Sequence, residues 1–161
     1  MNSKSRKMEQ RPMYDTNEEN CTFCRMREHK LSHVALLEDE EVLAVMDLYP
    51  AAPGHVLVLP KRHIETIYEM PEDLGAKIMR VAILVAKALK EKLSPTGINL
   101  IQSNEAAAGQ TVQHFHLHIV PRYKDDRTHL EFGHGNRPEN ILELARIASI
   151  LKTGLREKDR L

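Results

Sequence analysis

The chain has 161 residues, of which 42% are hydrophobic and 29% charged, and its 23 basic residues balance its 23 acidic ones. This length and composition are typical of one globular domain and argue against a largely disordered chain. A formal net charge of zero gives no overall field that would attract a polyanion, so we expect neither a nucleic-acid polymer nor a membrane as a partner.

The N-terminal segment differs in character from the rest of the chain. Residues 1–20 are polar and mixed in charge, without a hydrophobic period, which predicts a disordered tail ahead of a single domain at 21–161. The tail lacks the apolar run of a signal peptide, and no stretch approaches the roughly 18 apolar residues of a membrane span. We therefore expect a cytoplasmic protein.

The chain contains two cysteines, Cys21 and Cys24, in a C-x-x-C spacing. In a reducing compartment this spacing indicates metal binding or redox chemistry before a structural disulfide. From residue 33 to residue 60, stretches rich in β-branched residues are separated by acidic or Pro/Gly turns, which predicts two or three antiparallel strands. The segments concerned are 33–38, 41–47 and 55–60.

A long amphipathic helix is predicted at 71–93. The segment opens with Pro71 and two acidic residues, as helices often do, and then repeats apolar residues at helical spacing. The face expected to be buried consists of Leu74, Ile78, Val81, Val85 and Leu89.

Two further strands and a terminal helix complete the predicted fold. The strands are expected at 98–103 and at 114–120, on either side of a loop that contains glycine. After a polar loop at 123–137, apolar residues at Ile141, Leu144, Ala145, Ala148 and Leu151 predict the helix. Because strands and helices do not alternate, we expect an α+β fold, with an antiparallel sheet of about five strands and flanking helices.

Three histidines, His114, His116 and His118, alternate along the last predicted strand. Successive side chains of a strand point to opposite faces, so the histidines are expected to share one face while the three intervening apolar residues enter the core. Same-face neighbours lie about 7 Å apart, which predicts that the imidazoles do not touch and that they line a groove suited to a phosphate group. One neutral ring can act as a nucleophile while a cationic neighbour offsets phosphate charge.

Two other interpretations of the three histidines stay open on this evidence. They are compatible with ordinary surface residues, although the alternation of three disfavours that interpretation. An H-x-H pair on a strand can also present two ring nitrogens to one zinc ion. A third arrangement combines these roles, with one histidine bound to metal and two facing a substrate.

Together with its flanks, the segment GQTVQHFHLHIVPR at 109–122 resembles the signature of the histidine triad superfamily of nucleotide hydrolases and transferases. A second block, PGHVLVLPKRH at 53–63, resembles the substrate-side strand and turn of that superfamily. The likeness covers about residues 21–125. It implies an antiparallel sheet with flanking helices, and a homodimer formed across the long helix and an edge strand.

The resemblance also implies the roles of the central residues. His116 would attack the α-phosphorus of a nucleotide and form a nucleotidyl-histidine, which water or another acceptor then cleaves. His118 would contact phosphate or leaving-group oxygens. Gln110 and Thr111 occupy positions where the superfamily binds phosphate or the leaving group, and an ordinary turn is the alternative. Asp47 corresponds to the acidic residue that accepts hydrogen bonds from the ribose hydroxyls.

The remaining substrate-side residues lie around Asp47. Leu48, with Val45 and Leu43, is expected to supply the apolar wall of a base pocket, although core packing explains such residues equally well. His55 matches a superfamily histidine near the phosphates, and a hydrogen-bonded structural histidine is its alternative.

The loop before the three histidines departs from the superfamily pattern. The superfamily has an Asn or Gln about seven residues before the glutamine of its Gly-Gln pair, and this position falls on Ser103, with Asn104 next. Superfamily members commonly have glycine two residues later, where this chain has Glu105. We therefore expect the loop near the leaving group to differ.

A C-x-x-C branch of the superfamily binds structural zinc, and the resemblance implies four ligands here. They are Cys21, Cys24, His63 and His114. A filled tetrahedral site has no open position for a metal-activated water, so this zinc would be structural. His29 and His33 follow the cysteines closely and are the alternative ligands. The redox interpretation requires a thioredoxin-like context, which is missing.

The resemblance favours an enzyme that cleaves a dinucleoside polyphosphate or an adenylated substrate at the α-phosphate and releases the nucleoside monophosphate. A nucleoside phosphoramidase shares most of the same residues and is the first alternative. A nucleotide-binding, zinc-organised interaction module with little turnover is the alternative from another class, and the intact His116 argues against it. No role is assigned to His129 and His134, which lie in the polar loop.

Overall fold

The computed structural model describes residues 18–124, 126 and 138–155. Its strands are β1 (Ala35–Glu38), β2 (Val42–Met46), β3 (Val56–Pro60), β4 (Gly97–Ile101) and β5 (Leu117–Arg122). Its α-helices are α1 (Thr22–Arg27), α2 (Glu72–Leu93) and α3 (Ile141–Lys152). The strands form one antiparallel sheet in the order β1-β2-β3-β5-β4. This architecture confirms the predicted α+β fold.

The main core lies between α2, α3 and one face of the sheet. All five residues predicted for the buried face of α2 are buried. α3 begins after Asn140, whose side chain accepts a hydrogen bond from the main-chain N–H of Leu142 and so caps the helix. The predicted face of α3 was partly wrong, because Ile141 and Ala145 are exposed and Ile147 is buried. The buried stripe begins at Leu144 and follows the spacing that one helix face can bury.

The opposite face of the sheet is partly covered by α1, a helix that the sequence did not predict. Apolar residues of α1 pack with Cys21 and with four residues of β2 and β3. These four are Leu43, Val45, Leu57 and Leu59. The expectation that Leu43 and Val45 wall a base pocket is wrong, because α1 and the neighbouring strands leave both side chains at most 1% exposed.

The strand that carries the histidines begins later than predicted. β5 starts at Leu117, and the chain bends at 112–114, where the main-chain N–H of His114 donates to the carbonyl of Val112. The N–H of Phe115 donates to the carbonyl of Ile64, outside the sheet, so two of the three histidines precede the regular strand. The three intervening apolar residues enter the core as predicted. β4 likewise ends at residue 101, two residues before its predicted end.

Some predictions concern residues that the structure does not describe. His129 and His134 are outside the described residues, as are 1–17 of the predicted tail and most of the polar loop at 123–137. Residues 18–20 form a turn that leads into α1. Within the described ranges, no helix is long and apolar enough to cross a membrane.

Candidate active site

The sheet brings the predicted site residues to the ends of four neighbouring strands. Asp47 directly follows β2, and His55 directly precedes β3. His118 lies in β5, between Leu57 of β3 and Ile101 at the end of β4. The chain after β4 forms the loop 102–111, which leads back to the histidines. The site therefore extends across the sheet, with Asp47 on one side and this loop on the other.

His116 is held by a main-chain carbonyl group. Its Nδ1 lies 2.7 Å from the carbonyl oxygen of His114. A carbonyl oxygen only accepts hydrogen bonds, so Nδ1 carries the ring hydrogen and Nε2 keeps its lone pair. Burial lowers the pKa of His116, and the hydrogen bond to His114 opposes that shift only in part. The ring is therefore neutral near pH 7, in the tautomer that a nucleophile requires.

Two aromatic rings pack against His116. The ring centroids of His116 and His118 are 4.8 Å apart, and those of His116 and Phe23 are 5.1 Å apart. The prediction that the imidazoles stand about 7 Å apart without touching is wrong for this pair, because His116 precedes the regular strand. Phe23 was not identified from the sequence, although its position between the two cysteines of the C-x-x-C was a usable signal.

His55 and His118 form a buried pair beside His116. Nε2 of His55 lies 2.9 Å from Nδ1 of His118, and Nδ1 of His55 accepts the main-chain N–H of Ala51 at 3.1 Å. Because Nδ1 of His55 is an acceptor, its Nε2 carries the hydrogen and donates to His118, whose own hydrogen then lies on Nε2. Burial lowers the pKa of both rings, to about 2 for His118, where His116 and His55 add to the effect.

Asp47 lies on the β2 side of this pair. Its Oδ1 accepts the main-chain N–H of Tyr49 at 2.9 Å, and its Oδ2 lies 3.4 Å from Nδ1 of His55. Since Ala51 already donates to that nitrogen, Nδ1 of His55 carries no hydrogen for Asp47, and the two groups are neighbours without a hydrogen bond between these atoms. Leu48 is half-buried and packs against the main core. The carboxylate remains partly exposed and able to accept further hydrogen bonds.

Gln110 anchors the loop 102–111 from the inside. It is 1% exposed, its Oε1 accepts the main-chain N–H of Glu105 at 2.7 Å, and its Nε2 donates to the carbonyl of Glu65 at 2.7 Å. Both ends of the side-chain amide therefore bind protein groups. Thr111, the next residue, is half-buried at the point where the loop reaches the histidines.

Asn104 ties the start of the same loop to the segment before α2. Its Oδ1 accepts the main-chain N–H of Ile67 at 2.7 Å, and its amide also contacts the side chain of Gln102. Ser103 is half-buried, and its carbonyl accepts a hydrogen bond from Gln102. Of the two candidates for the superfamily's Asn or Gln position, Asn104 is thus committed to holding the loop.

The four residues implied as zinc ligands are brought together, with their ligand atoms within 4.8 Å of one another. Nδ1 of His114 lies 3.4 Å from the sulfur of Cys21 and 3.6 Å from that of Cys24. Nδ1 of His63 lies 3.3 Å from the sulfur of Cys24. Tetrahedral zinc with ordinary bond lengths would place such sulfur and nitrogen atoms about 3.6 Å apart. His29 and His33 stack on each other instead, at 5.9 Å between centroids.

The chemistry of these four groups also fits zinc. Nε2 of His114 lies 2.8 Å from the carbonyl oxygen of Pro60 and must carry the ring hydrogen, so the Nδ1 lone pair faces the sulfurs. Nε2 of His63 has no hydrogen-bond partner among the described residues and lies 3.8 Å from a carboxylate oxygen of Glu65, an arrangement common beside metal-bound histidines. Burial, with adjacent Cys21, raises the pKa of Cys24 to about 12, a charge penalty that a cation would offset.

Comparison with known proteins agrees with this geometry. Residues 28–125 match the HIT domain family. "Protein hit" of Bacillus subtilis is 39% identical over 105 residues, which cover 65% of this chain and 72% of that protein. Adenosine 5'-monophosphoramidase HNT1 of Candida albicans is 31% identical over 143 residues, 86% of this chain and 93% of its own. Adenylylsulfatase HINT3 of Arabidopsis thaliana is 33% identical over 111 residues, 69% of this chain and 56% of its own.

Solved structures show the same fold. A Hit-like protein from Bartonella henselae superposes with a TM-score of 0.78 at 31% identity, over 88% of this chain and 98% of that one. A zinc-bound histidine triad family protein from Mycobacterium smegmatis superposes with a TM-score of 0.75 at 29% identity, over 89% and 98% of the two chains.

Proposed function

Because this chain belongs to the HIT domain family, we propose that it cleaves a dinucleoside polyphosphate or another adenylated substrate at the α-phosphate and releases the nucleoside monophosphate. The observation that carries the proposal is the tautomer of His116, whose Nδ1 is bound to the carbonyl of His114 so that Nε2 keeps its lone pair. Two relatives are named as a monophosphoramidase and an adenylylsulfatase, which supports chemistry at the phosphorus of a nucleotide.

The proposed reaction has two steps. In the first, the Nε2 lone pair of His116 forms a bond to the α-phosphorus, and the bond from phosphorus to the leaving group breaks, so that its electron pair departs with that group. An amine leaving group takes up one proton from solvent as it departs. The carbonyl of His114 stabilises the positive charge that develops on the ring. In the second, a water oxygen attacks phosphorus, the phosphorus–nitrogen bond breaks, its electron pair returns to Nε2, and the water proton passes to solvent.

The neighbouring residues would bind the substrate. His118, with its hydrogen on Nε2, donates a hydrogen bond to a phosphoryl or leaving-group oxygen, and His55 fixes that tautomer. The carboxylate of Asp47 accepts hydrogen bonds from the ribose hydroxyls, with the base beyond it near Leu48. Gln110 holds the loop on the opposite side.

That loop would contact the leaving group through residues at its two ends. Ser103 and Thr111 flank it and are half-buried. Asn104 acts indirectly, because its amide oxygen is used to fix the loop to Ile67.

We also infer that Cys21, Cys24, His63 and His114 hold a structural zinc ion, which supports the position of His116. Zinc, when bound, would compensate the charge of the buried thiolates and crosslink α1 to the segment before β5. The ring of His114 faces the cysteines while its carbonyl holds His116, so one residue connects the two sites.

We also infer that two copies of the chain form a homodimer across α2 and β4. β4 is an edge strand of the sheet. Large apolar side chains on β4 and on the outer side of α2 are nearly half exposed, with Leu100 at 47%, Ile83 at 48% and Met79 at 44%. A second copy of the chain would cover them and pair the open edge.

The proposed activity is tested by incubating the purified chain with diadenosine tetraphosphate and, separately, with an adenosine phosphoramidate. We expect release of adenosine monophosphate from at least one of them, and a loss of about 10³-fold or more in the His116→Ala protein. His33→Ala, which removes a histidine outside both sites, serves as the matched control and should retain activity. Absence of release from either substrate, or full activity of His116→Ala, would instead favour the interaction module with little turnover.

A further inference from the structure

The loop 102–111 occupies the leaving-group side of the proposed site. In the proposed complex the ribose binds at Asp47, which follows β2, and the α-phosphorus lies at His116. Because the strand order is β1-β2-β3-β5-β4, the leaving group then lies on the opposite side, toward β5 and β4. This is the side on which the loop connects β4 to the histidines. Glu105 lies near the middle of that loop, and its side chain is exposed.

The backbone of Glu105 has an unusual conformation. Its φ of +67° and ψ of 163° belong to a region that glycine enters readily and that residues with a side chain rarely adopt. The conformation is fixed by neighbours, because the N–H of Glu105 donates to Oε1 of Gln110 at 2.7 Å and its carbonyl accepts the N–H groups of Gln110 and Ala108. A carboxylate thus occupies a constrained position where the backbone alone favours glycine.

The Glu105 carboxylate is one of few charged groups in the segments around the site. The segments 43–60 and 94–121 contain no lysine or arginine, and Asp47 and Glu105 are their only acidic residues. The segment 61–67, which hydrogen-bonds to the loop through Glu65 and Ile67, adds Lys61, Arg62 and Glu65. Burial lowers the pKa of His55 and of His118, so these rings add no positive charge at neutral pH. Lys61 is paired with Glu38 at 2.6 Å. Arg62 is balanced in formal charge by Glu65, so the charge of Glu105 is left as an excess on the leaving-group side.

We propose that Glu105 is a specificity-determining residue that selects among the proposed substrates by the charge of the leaving group, so that adenylated substrates with neutral or cationic leaving groups are preferred to dinucleoside polyphosphates. This inference rests on the proposed function, since it assumes that the α-phosphorus is attacked at His116. A polyphosphate leaving group brings several negative charges toward the Glu105 side, whereas an amine brings none. Specificity built on repulsion of the wrong group is a common device, and here one side chain supplies it.

The test compares two substrates on three proteins. We would measure kcat/KM for diadenosine tetraphosphate and for an adenosine phosphoramidate with a primary amine leaving group, using the wild-type chain, Glu105→Gln and Glu105→Gly. Glu105→Gln removes the charge and keeps the length of the side chain, while Glu105→Gly also suits the backbone conformation. In both variants the ratio of the two constants should shift toward the polyphosphate by about three- to tenfold. Added salt should produce part of the same shift in the wild type.

The control variant is Glu91→Gln, which removes the same charge from the last turn of α2, beyond the opposite end of β4 from the loop. Its substrate ratio should match that of the wild type. An unchanged ratio in both Glu105 variants, with activity retained, would overturn the assignment of Glu105 alone. Absence of activity toward both substrates in the wild type would overturn the proposed function instead, so the two failures are distinguishable.

Discussion

Hydrogen bonds to main-chain groups decide where each buried histidine carries its ring hydrogen. His116 bears it on Nδ1 because it faces the carbonyl of His114, and His114 bears it on Nε2 because it faces the carbonyl of Pro60. These two histidines of one short segment thus have their lone pairs on different ring nitrogens, Nδ1 in His114 and Nε2 in His116. His114 directs its lone pair toward the cysteines, and the lone pair of His116 remains on Nε2, as the proposed attack on phosphorus requires.

The low pKa of His118 makes the stability of the protein depend on pH. Its folded-state pKa of about 2 lies below the ordinary value of 6.5, so at intermediate pH the unfolded chain binds a proton that the folded chain does not. The contribution of His118 to the free energy of unfolding is therefore fully present above pH 6.5 and is lost as the pH falls below that value. Between about pH 7.5 and about pH 5.5, this group should lower the free energy of unfolding by about 1.4 kcal/mol.

The His118→Asn protein tests this expectation by denaturant unfolding at both pH values. Its loss of stability on acidification should be smaller than that of the wild type by about 1–1.5 kcal/mol, because asparagine does not titrate. Equal losses in the two proteins would contradict the low pKa of His118.

Gly54 is a position where an added side chain would displace its neighbours. Its φ is +92°, and an added Cβ would lie 2.7 Å from Cδ1 of Leu93 and 3.0 Å from Cδ2 of Leu89. Gly54→Ala should lower the free energy of unfolding by about 2–3 kcal/mol. Gly109 is the matched control, because its φ of +88° is similar and nothing lies within 4 Å of its Cβ position. Gly109→Ala should cost about 1 kcal/mol, from backbone strain only. Equal losses in denaturant unfolding would contradict the packing explanation.

At the scale of elements, α1 depends on the rest of the protein for its stability. Its six residues are too few for an isolated helix. It is retained by packing over β2 and β3, by Phe23 against His116, and by the two cysteines that face His63 and His114. The helix therefore connects the proposed zinc site to the proposed nucleophile.

Removing a zinc ligand should weaken the attachment of α1 to the rest of the protein. Cys24→Ser and His63→Ala should bind less than one zinc ion per chain and unfold about 10 °C below the wild type. The measurements are zinc content by elemental analysis and thermal unfolding by circular dichroism. His33→Ala, which changes one of the alternative ligands, should retain both the zinc and the stability. Loss of zinc in His33→Ala together with its retention in His63→Ala would indicate the local zinc knuckle instead.

The elements differ in how far the sequence determines them. The five strands and α2 follow from hydrophobic period and turn residues, because each buries one face against the same core. α1 is too short to show a period, and its formation depends on contacts with residues distant in the chain. The alternation through His114 and His116 predicted a strand, but hydrogen bonds to Val112 and Ile64 take this segment out of the sheet.

The candidate site shows a similar division. The residue types and spacing of His116 and His118 predicted which rings would be near each other. The sequence could not predict their contact at 4.8 Å or the tautomer of each ring, since both depend on main-chain carbonyl and amide groups. The sequence also could not predict the role of Gln110, which is compatible with an ordinary turn residue. Its role depends on hydrogen bonds to main-chain groups of Glu65 and Glu105.

At the scale of the whole molecule, we predict that two copies of the chain associate through the exposed apolar side chains of α2 and β4. Leu100→Lys or Ile83→Lys places a charge in the proposed interface and should convert a dimer to a monomer, because a buried unpaired charge is unfavourable. Light scattering after size-exclusion chromatography measures the mass. Leu142→Lys is the matched control, since Leu142 is 74% exposed on α3 and should not alter the mass. A monomeric wild-type chain would contradict the inference.

The central claim is that His116 forms a covalent bond to the nucleotide, and the most direct measurement is mass spectrometry of the protein during turnover. The chain would be mixed with an adenosine phosphoramidate, stopped in alkaline denaturant, digested and searched for an adenylyl group. We predict the adduct on the peptide that contains His116, located at that residue by fragmentation, and its absence in the His116→Ala protein. Turnover under single-turnover conditions without any adduct, or an adduct on another residue, would contradict the account.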